Sequence, residues 1–109
     1  MIPKPDSLDI GLKPEVLNQL HGIFQTYTEI DTVVLYGSRA KGNYHAGSDV
    51  DITIKGEGVT ESLVGKVEED IDDLLLPFSF DISSWTQIDN VDLRAHIERV
   101  GIVIYRRVR

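Results

Sequence analysis

The stretch LYGSRAKGNYHAGSDVDITI, residues 35–54, decides how the chain is read. An apolar run ends at Gly37-Ser38, and ten residues later Asp49-Val50-Asp51 opens a second one. From Ser48 to Ile54 the residues alternate: Val50, Ile52 and Ile54 point one way, Asp49, Asp51 and Thr53 the other. That period predicts a half-buried strand over 48–54 with two carboxylates on its polar side. At about 3.3 Å per residue they stand about 7 Å apart along the backbone. The run before Gly37, Thr32 to Tyr36, is β-branched and apolar at nearly every position, as in a strand covered on both faces.

Outward from this centre the pattern alternates between helix and strand. Pro14 suits a first helical turn, and Val16, Leu17, Leu20, Ile23, Phe24 and Tyr27 recur as one apolar stripe, predicting a helix over 14–27. Residues 1–13 read as an irregular lead-in and 14–109 as a single domain. Gly56 and Gly58 mark a loop, and Thr60 is placed to cap a helix whose Leu63, Val64, Val67, Ile71, Leu74 and Leu75 face the core until Pro77 closes it. Residues 78–83 alternate again, with Phe78, Phe80 and Ile82 opposite Ser79, Asp81 and Ser83. Asp89 or Asn90 can cap a last helix carrying Leu93, Ile97 and Val100, Gly101 suits its stop, and 102–105 makes a final strand. The basic tail, Arg106 to Arg109, reads as solvated. The expected class is α/β with a mixed sheet of about four strands and helices packed on it.

Composition narrows the functions. A net charge of −7 over 109 residues argues against sequence-independent grip on a nucleic-acid duplex, which depends on Lys and Arg neutralising phosphates. Without cysteine there is neither a disulfide framework nor a thiolate metal site. No run is long enough to span a bilayer and the opening MIPKPDSLDIG is no signal peptide, so a cytoplasmic protein is expected. A chain this short has little room for a second lobe to hold a large substrate, so it is expected to borrow surface from a partner.

Gly37 lets a backbone approach a bulky phosphate, and amides at a helix start favour anions. Gly42 is followed by Asn43, so this is no Walker A loop. Asp49 and Asp51, joined by Asp81 if the 78–83 strand lies alongside, would raise one another's pKa unless a cation sat among them. Oxygen-only ligands suit Mg²⁺ or Mn²⁺ over zinc, and such ions clamp a triphosphate for in-line displacement. The plainer readings are a solvated strand face for the aspartates and tight-turn geometry for Gly37-Ser38. His21 and His96 read as packing or solvated residues, Trp85 as packing, and Glu68 to Asp73 as a solvated helix face. Tyr44 and His45 lie in the loop where nucleotide or acceptor could touch.

Gly37-Ser38, the ten-residue spacing to Asp49-Val50-Asp51, and Asp81 on a later strand together resemble the DNA polymerase β-like nucleotidyltransferase superfamily. The LYGSRAKG form and short length are similar to its minimal nucleotidyltransferase (MNT) branch, of the MNT/HEPN type. The resemblance implies that Asp49 and Asp51 are metal ligands and that Asp81 is a third carboxylate, serving metal and acting as general base. It further implies that Gly37 and Ser38 form the phosphate turn, with Arg39 and Lys41 as further nucleotide contacts. It implies Mg²⁺, or Mn²⁺, as cofactor, ATP as substrate, and a small all-helical HEPN or substrate-binding partner in a hetero-oligomer. The implied activity is transfer of AMP to a tyrosine hydroxyl of a HEPN toxin. The alternatives are modification of a small hydroxylated substrate by a two-component enzyme, and a non-catalytic antitoxin acting by binding.

Overall fold

A computed structural model of the chain describes residues 10–108. Its elements run α1 (Pro14–Thr26), β1 (Thr32–Tyr36), α2 (Ser38–Lys41), β2 (Val50–Lys55), α3 (Glu61–Asp72), β3 (Phe80–Ser84), a 3-10 turn (Trp85–Gln87), α4 (Val91–Val100) and β4 (Ile102–Arg106). The four strands form one sheet in the order β3-β2-β1-β4. β1 runs antiparallel to both β2 and β4, and β2 is parallel to β3, so α3 is the crossover that parallel neighbours require. This is the mixed α/β sheet that the alternating pattern predicts.

Each sheet face is covered by different helices. On one side Val33, Leu35, Val50, Ile52 and Ile54 are buried beneath α1 and α3, which contribute Leu20, Phe24, Leu63 and Val67 among others. On the other, Val34 and Tyr36 pack with Ile88 and with Ile97 of α4. Asp51 and Thr53 share this second face, because antiparallel pairing sets them opposite Tyr36 and Val34. Local chemistry fixes the helix starts. Pro14 opens α1, the Thr60 hydroxyl accepts from the Leu63 amide at 3.2 Å, and Asn90 Oδ1 accepts from Leu93 at 2.9 Å. Of the two candidate caps for α4, Asn90 is the one used. Gly101 follows α4 at an ordinary negative φ, so its requirement is space: a Cβ there would meet Ile97 O at 2.4 Å and Val34 Cγ1 at 2.6 Å.

Several expectations are corrected. β2 begins at Val50, so Asp49 lies just before the strand and not within it, and β3 covers 80–84 in place of 78–83. α3 ends at Asp72, and Leu75 does not face the core: it is 88% exposed at φ 55°. The lead-in is less irregular in its packing than its prolines suggest, since Ile10 and Leu12 belong to the main core; residues 1–9 of it lie outside the described residues. Arg107 is not a free solvated cation. Its guanidinium donates to the carbonyls of Ile30 (3.0 Å) and Tyr27 (2.7 Å), closing the turn between α1 and β1. His21 and His96 do pack, against Tyr105 and Tyr36 respectively, and His21 also meets the Ile104 carbonyl at 2.5 Å.

Candidate active site

The carboxylates meet because of sheet order, which is set by contacts far apart in sequence. Parallel pairing of β2 with β3 puts Asp51 directly beside Asp81, on the face where Tyr36 of β1 is the other neighbour of Asp51. Asp49 precedes this pair on the same chain and is exposed, as is Asp81, while Asp51 is half-buried. Burial raises the Asp51 pKa above the ordinary 3.8, and the charges of Asp81 and then Asp49 push in the same direction. Tyr36 is raised too, chiefly by burial and further by the charges of Asp81 and Asp51, with the nearby Ser83 hydroxyl opposing. The Tyr36 phenol and Ser83 do not reach hydrogen-bond geometry, and Ser83 Oγ is the buried side-chain atom without a partner among the described residues.

Gly37 sits against this group. Its φ is 77°, a left-handed value that side-chain-bearing residues rarely adopt, and a Cβ would stand 2.3 Å from Asp51 Oδ2. Thus the turn and the carboxylate touch, and only glycine allows it. α2 follows at once, but it is a single turn, with the Lys41 amide bonded to the Gly37 carbonyl at 3.1 Å. The amides of Ser38, Arg39 and Ala40 precede that first intrahelical bond; local donors, more than any long helix dipole, are what the turn can offer an anion.

Arg39, which the resemblance implies as a nucleotide contact, is buried. It is 2% exposed, with Nε and NH2 donating to the Ser48 carbonyl (3.2 and 3.0 Å) and NH1 to the Ile10 carbonyl (3.1 Å). Tyr44 and Phe78 cover its guanidinium, at 4.9 and 5.2 Å from their ring centres. Its donors tie the lead-in to the residue before Asp49, so Arg39 positions the loop from beneath and does not present its charge to a ligand. Ser48 is the other half of this anchor: its hydroxyl accepts from the His45 amide at 2.9 Å, shaping the turn before Asp49. Lys41, in contrast, is exposed. Among the residues singled out beforehand, Gly37, Asp51 and Asp81 come together, Asp49 stands beside them, and Arg39 turns inward. Tyr36 was missed, because an aromatic ending an apolar strand reads only as core.

A divalent cation suits this donor set. Among the described residues none of the three carboxylates takes a hydrogen bond or an ion pair, so their mutual repulsion is left for a cation to offset. All donors are oxygen, as Mg²⁺ and Mn²⁺ prefer. The group is not drawn tight, however: among the described residues no three acidic, imidazole or thiol side chains are gathered closely enough to form a ready-made cation site.

The polymerase beta nucleotidyltransferase family model matches residues 18–109, spanning both the turn and the carboxylates. Solved structures share the fold. A toxin–antitoxin structure with AMP-PNP is 15% identical, covering 84% of this chain and 73% of that one, with a TM-score of 0.69. A tri-AMPylated HEPN toxin in complex with an MNT antitoxin, from Shewanella oneidensis, is 11% identical over 88% and 74%, with a TM-score of 0.66. The MntA–HepT toxin–antitoxin is also 11% identical, over 87% and 74%, at 0.65. Among curated proteins, none matches the sequence.

Proposed function

The chain belongs to the polymerase beta nucleotidyltransferase family, and from that premise we propose that it is a metal-dependent transferase moving AMP from ATP to a tyrosine hydroxyl of a small all-helical HEPN partner. The observation that carries this reading is the contact between Gly37 and Asp51, with Asp81 alongside on the parallel strand. A repulsive carboxylate pair pressed against a glycine turn has no use in packing. It serves a reaction that holds phosphates and cations within a few ångströms of each other. The choice of AMP and of a HEPN acceptor is supported by likeness of fold to a structure whose HEPN toxin is tri-AMPylated in the presence of an MNT antitoxin.

In this reading Asp49 and Asp51 would hold Mg²⁺ or Mn²⁺, with Asp81 assisting. A bound cation supplies charge neutralisation to the triphosphate. Gly37 and Ser38 receive phosphate oxygens on backbone amides and a hydroxyl, and exposed Lys41 lies within the same turn. The acceptor oxygen forms a bond to the α-phosphorus as the bond to the α,β-bridging oxygen breaks. Pyrophosphate departs on the opposite side, and Asp81 takes the hydroxyl proton. Little covalent work falls to the protein, so positioning and electrostatics dominate the rate. Arg39 contributes by fixing Ser48 and so the approach to Asp49.

Pyrophosphate release tests the reading. It should require the chain, ATP, Mg²⁺ and the helical partner together, and fall by orders of magnitude in Asp81→Asn, which keeps shape but cannot accept the proton. Release that persists unchanged in Asp81→Asn removes Asp81 from the chemistry. Release without partner protein but with small hydroxylated compounds transfers the acceptor role to those. A stable complex in which no pyrophosphate forms would mean inhibition by binding.

A further inference from the structure

The two edges of the sheet are built differently. β4 is interrupted by an irregularity opposite Val33/Val34 and ends in exposed Arg106, devices that discourage another strand from pairing. β3 has neither: its register with β2 runs unbroken from Val50↔Phe80 to Ile54↔Ser84, and FDISS contains no Lys, Arg or Pro. The Val50 amide bonds to the Ser79 carbonyl, so residues 79, 81 and 83 direct their backbone groups at β2. By alternation Phe80 and Ile82 direct theirs outward.

Beside this edge two hollows of about 380 and 400 Å³ lie between β3 and α3, sharing Glu68 and Ile82 and so forming one groove. Its lining is mostly polar: Glu61, Glu68 and Asp72 come from α3, Phe80 and Ile82 from β3, and no Lys or Arg is among the lining residues. At the Asp72 end the connecting turn holds Leu75 in a left-handed conformation and almost wholly exposed, an arrangement that gives nothing to the monomer.

We propose that this groove is a docking site for an extended, basic segment of a partner protein, which adds a strand to the outer edge of β3. Main-chain bonds to Phe80 and Ile82 would hold it, and the alternate side chains that face α3 would be Lys or Arg, laying their stems over Ile82 and Phe80 and their charges against Glu61, Glu68 and Asp72. A second copy of this chain does not fit, because it would bring the same acidic rim and a further −7 charge. The site rests on the transferase reading only in one respect: a segment on β3 lies one strand from Asp51 and beside Asp81, which would deliver its protein to the carboxylates.

Binding can be read without nucleotide, so it stands or falls apart from activity. The probe is a capped ten-residue peptide of alternating lysine and valine, titrated into the ¹⁵N-labelled chain, with a glutamate–valine peptide as control. The expected result is saturable amide shifts along β3 and the facing side of α3, absent with the control. A Glu68→Lys, Asp72→Lys double variant, both changes being on exposed side chains, should keep its melting temperature and lose at least tenfold in affinity. Shifts that do not saturate, shifts centred on β4 or α4, or unchanged affinity in a folded double variant would overturn the proposal.

Discussion

Replacing Asp51 by asparagine should make the protein more stable while removing its activity. Asp51 and Asp81 are directly paired on adjacent parallel strands, which lie about 4.8 Å apart. Two unit charges about 5 Å apart repel by roughly 1 kcal/mol in a water-like medium and about 3 kcal/mol at an effective dielectric of about 20. Asp81 is exposed, so the lower figure applies. For a domain of this size about 1 kcal/mol raises the melting temperature by about 4–8 °C. The pH dependence has a definite sign. A carboxyl whose folded pKa is raised binds its proton more tightly when folded, so its favourable contribution is complete below the unfolded value, near 3.8, and is lost as pH climbs through the folded value. The advantage of Asp51→Asn is therefore larger at pH 7 than at pH 4 and vanishes below the unfolded value near 3.8. Differential scanning calorimetry in metal-free buffer at several pH values measures it. A variant that melts at or below the wild-type temperature at pH 7, or whose advantage is as large at pH 4, would refute the idea that these carboxylates repel without compensation.

Gly37→Ala combines a left-handed φ with a Cβ 2.3 Å from Asp51 Oδ2, so it should cost at least about 1–2 kcal/mol in a thermal melt and displace Asp51 enough to abolish transfer. Arg39→Ala strips three hydrogen bonds, one buried and two part-buried, and leaves the Ile10 and Ser48 carbonyls short of a donor; a loss of about 3 kcal/mol is expected in urea unfolding, whereas Lys41→Ala should leave stability within about 0.5 kcal/mol. Tyr27 donates to Asp70 and its pKa is raised to about 12 by that bond first and burial second, so in an ultraviolet titration Asp70→Asn should bring its ionisation back towards 10.0. That pair stabilises the fold fully below pH 10.0 and progressively less up to about 12.

Most of the fold was legible because it is local. The period-2 alternation around Asp51, the Thr60 cap and the apolar stripe of α1 each declare an element within a few residues. What stayed hidden depends on partners distant in sequence. Arg39 looks like a surface cation until Ile10 and Ser48 supply carbonyls and Tyr44 and Phe78 supply rings. Arg107 reads as tail until it reaches Tyr27 and Ile30. Leu75 continues a helical stripe on paper, yet α3 stops at Asp72 and the leucine points to solvent. The adjacency of Asp51 and Asp81 could be anticipated only conditionally, since it requires β3 to lie parallel beside β2, a matter of sheet order. Tyr36 carried no signal at all: its nearness to both carboxylates exists only in the folded sheet.

The central claim is that the carboxylates transfer a nucleotide to a protein hydroxyl. Intact mass spectrometry of the helical partner, after incubation with this chain, ATP and Mg²⁺, tests it most directly, with an Asp49→Ala, Asp51→Ala double variant as control. The account predicts one or more AMP additions, mapped to tyrosine, with wild type alone. An unmodified partner bound stably to a folded wild-type chain, or equal modification by the double variant, would contradict it.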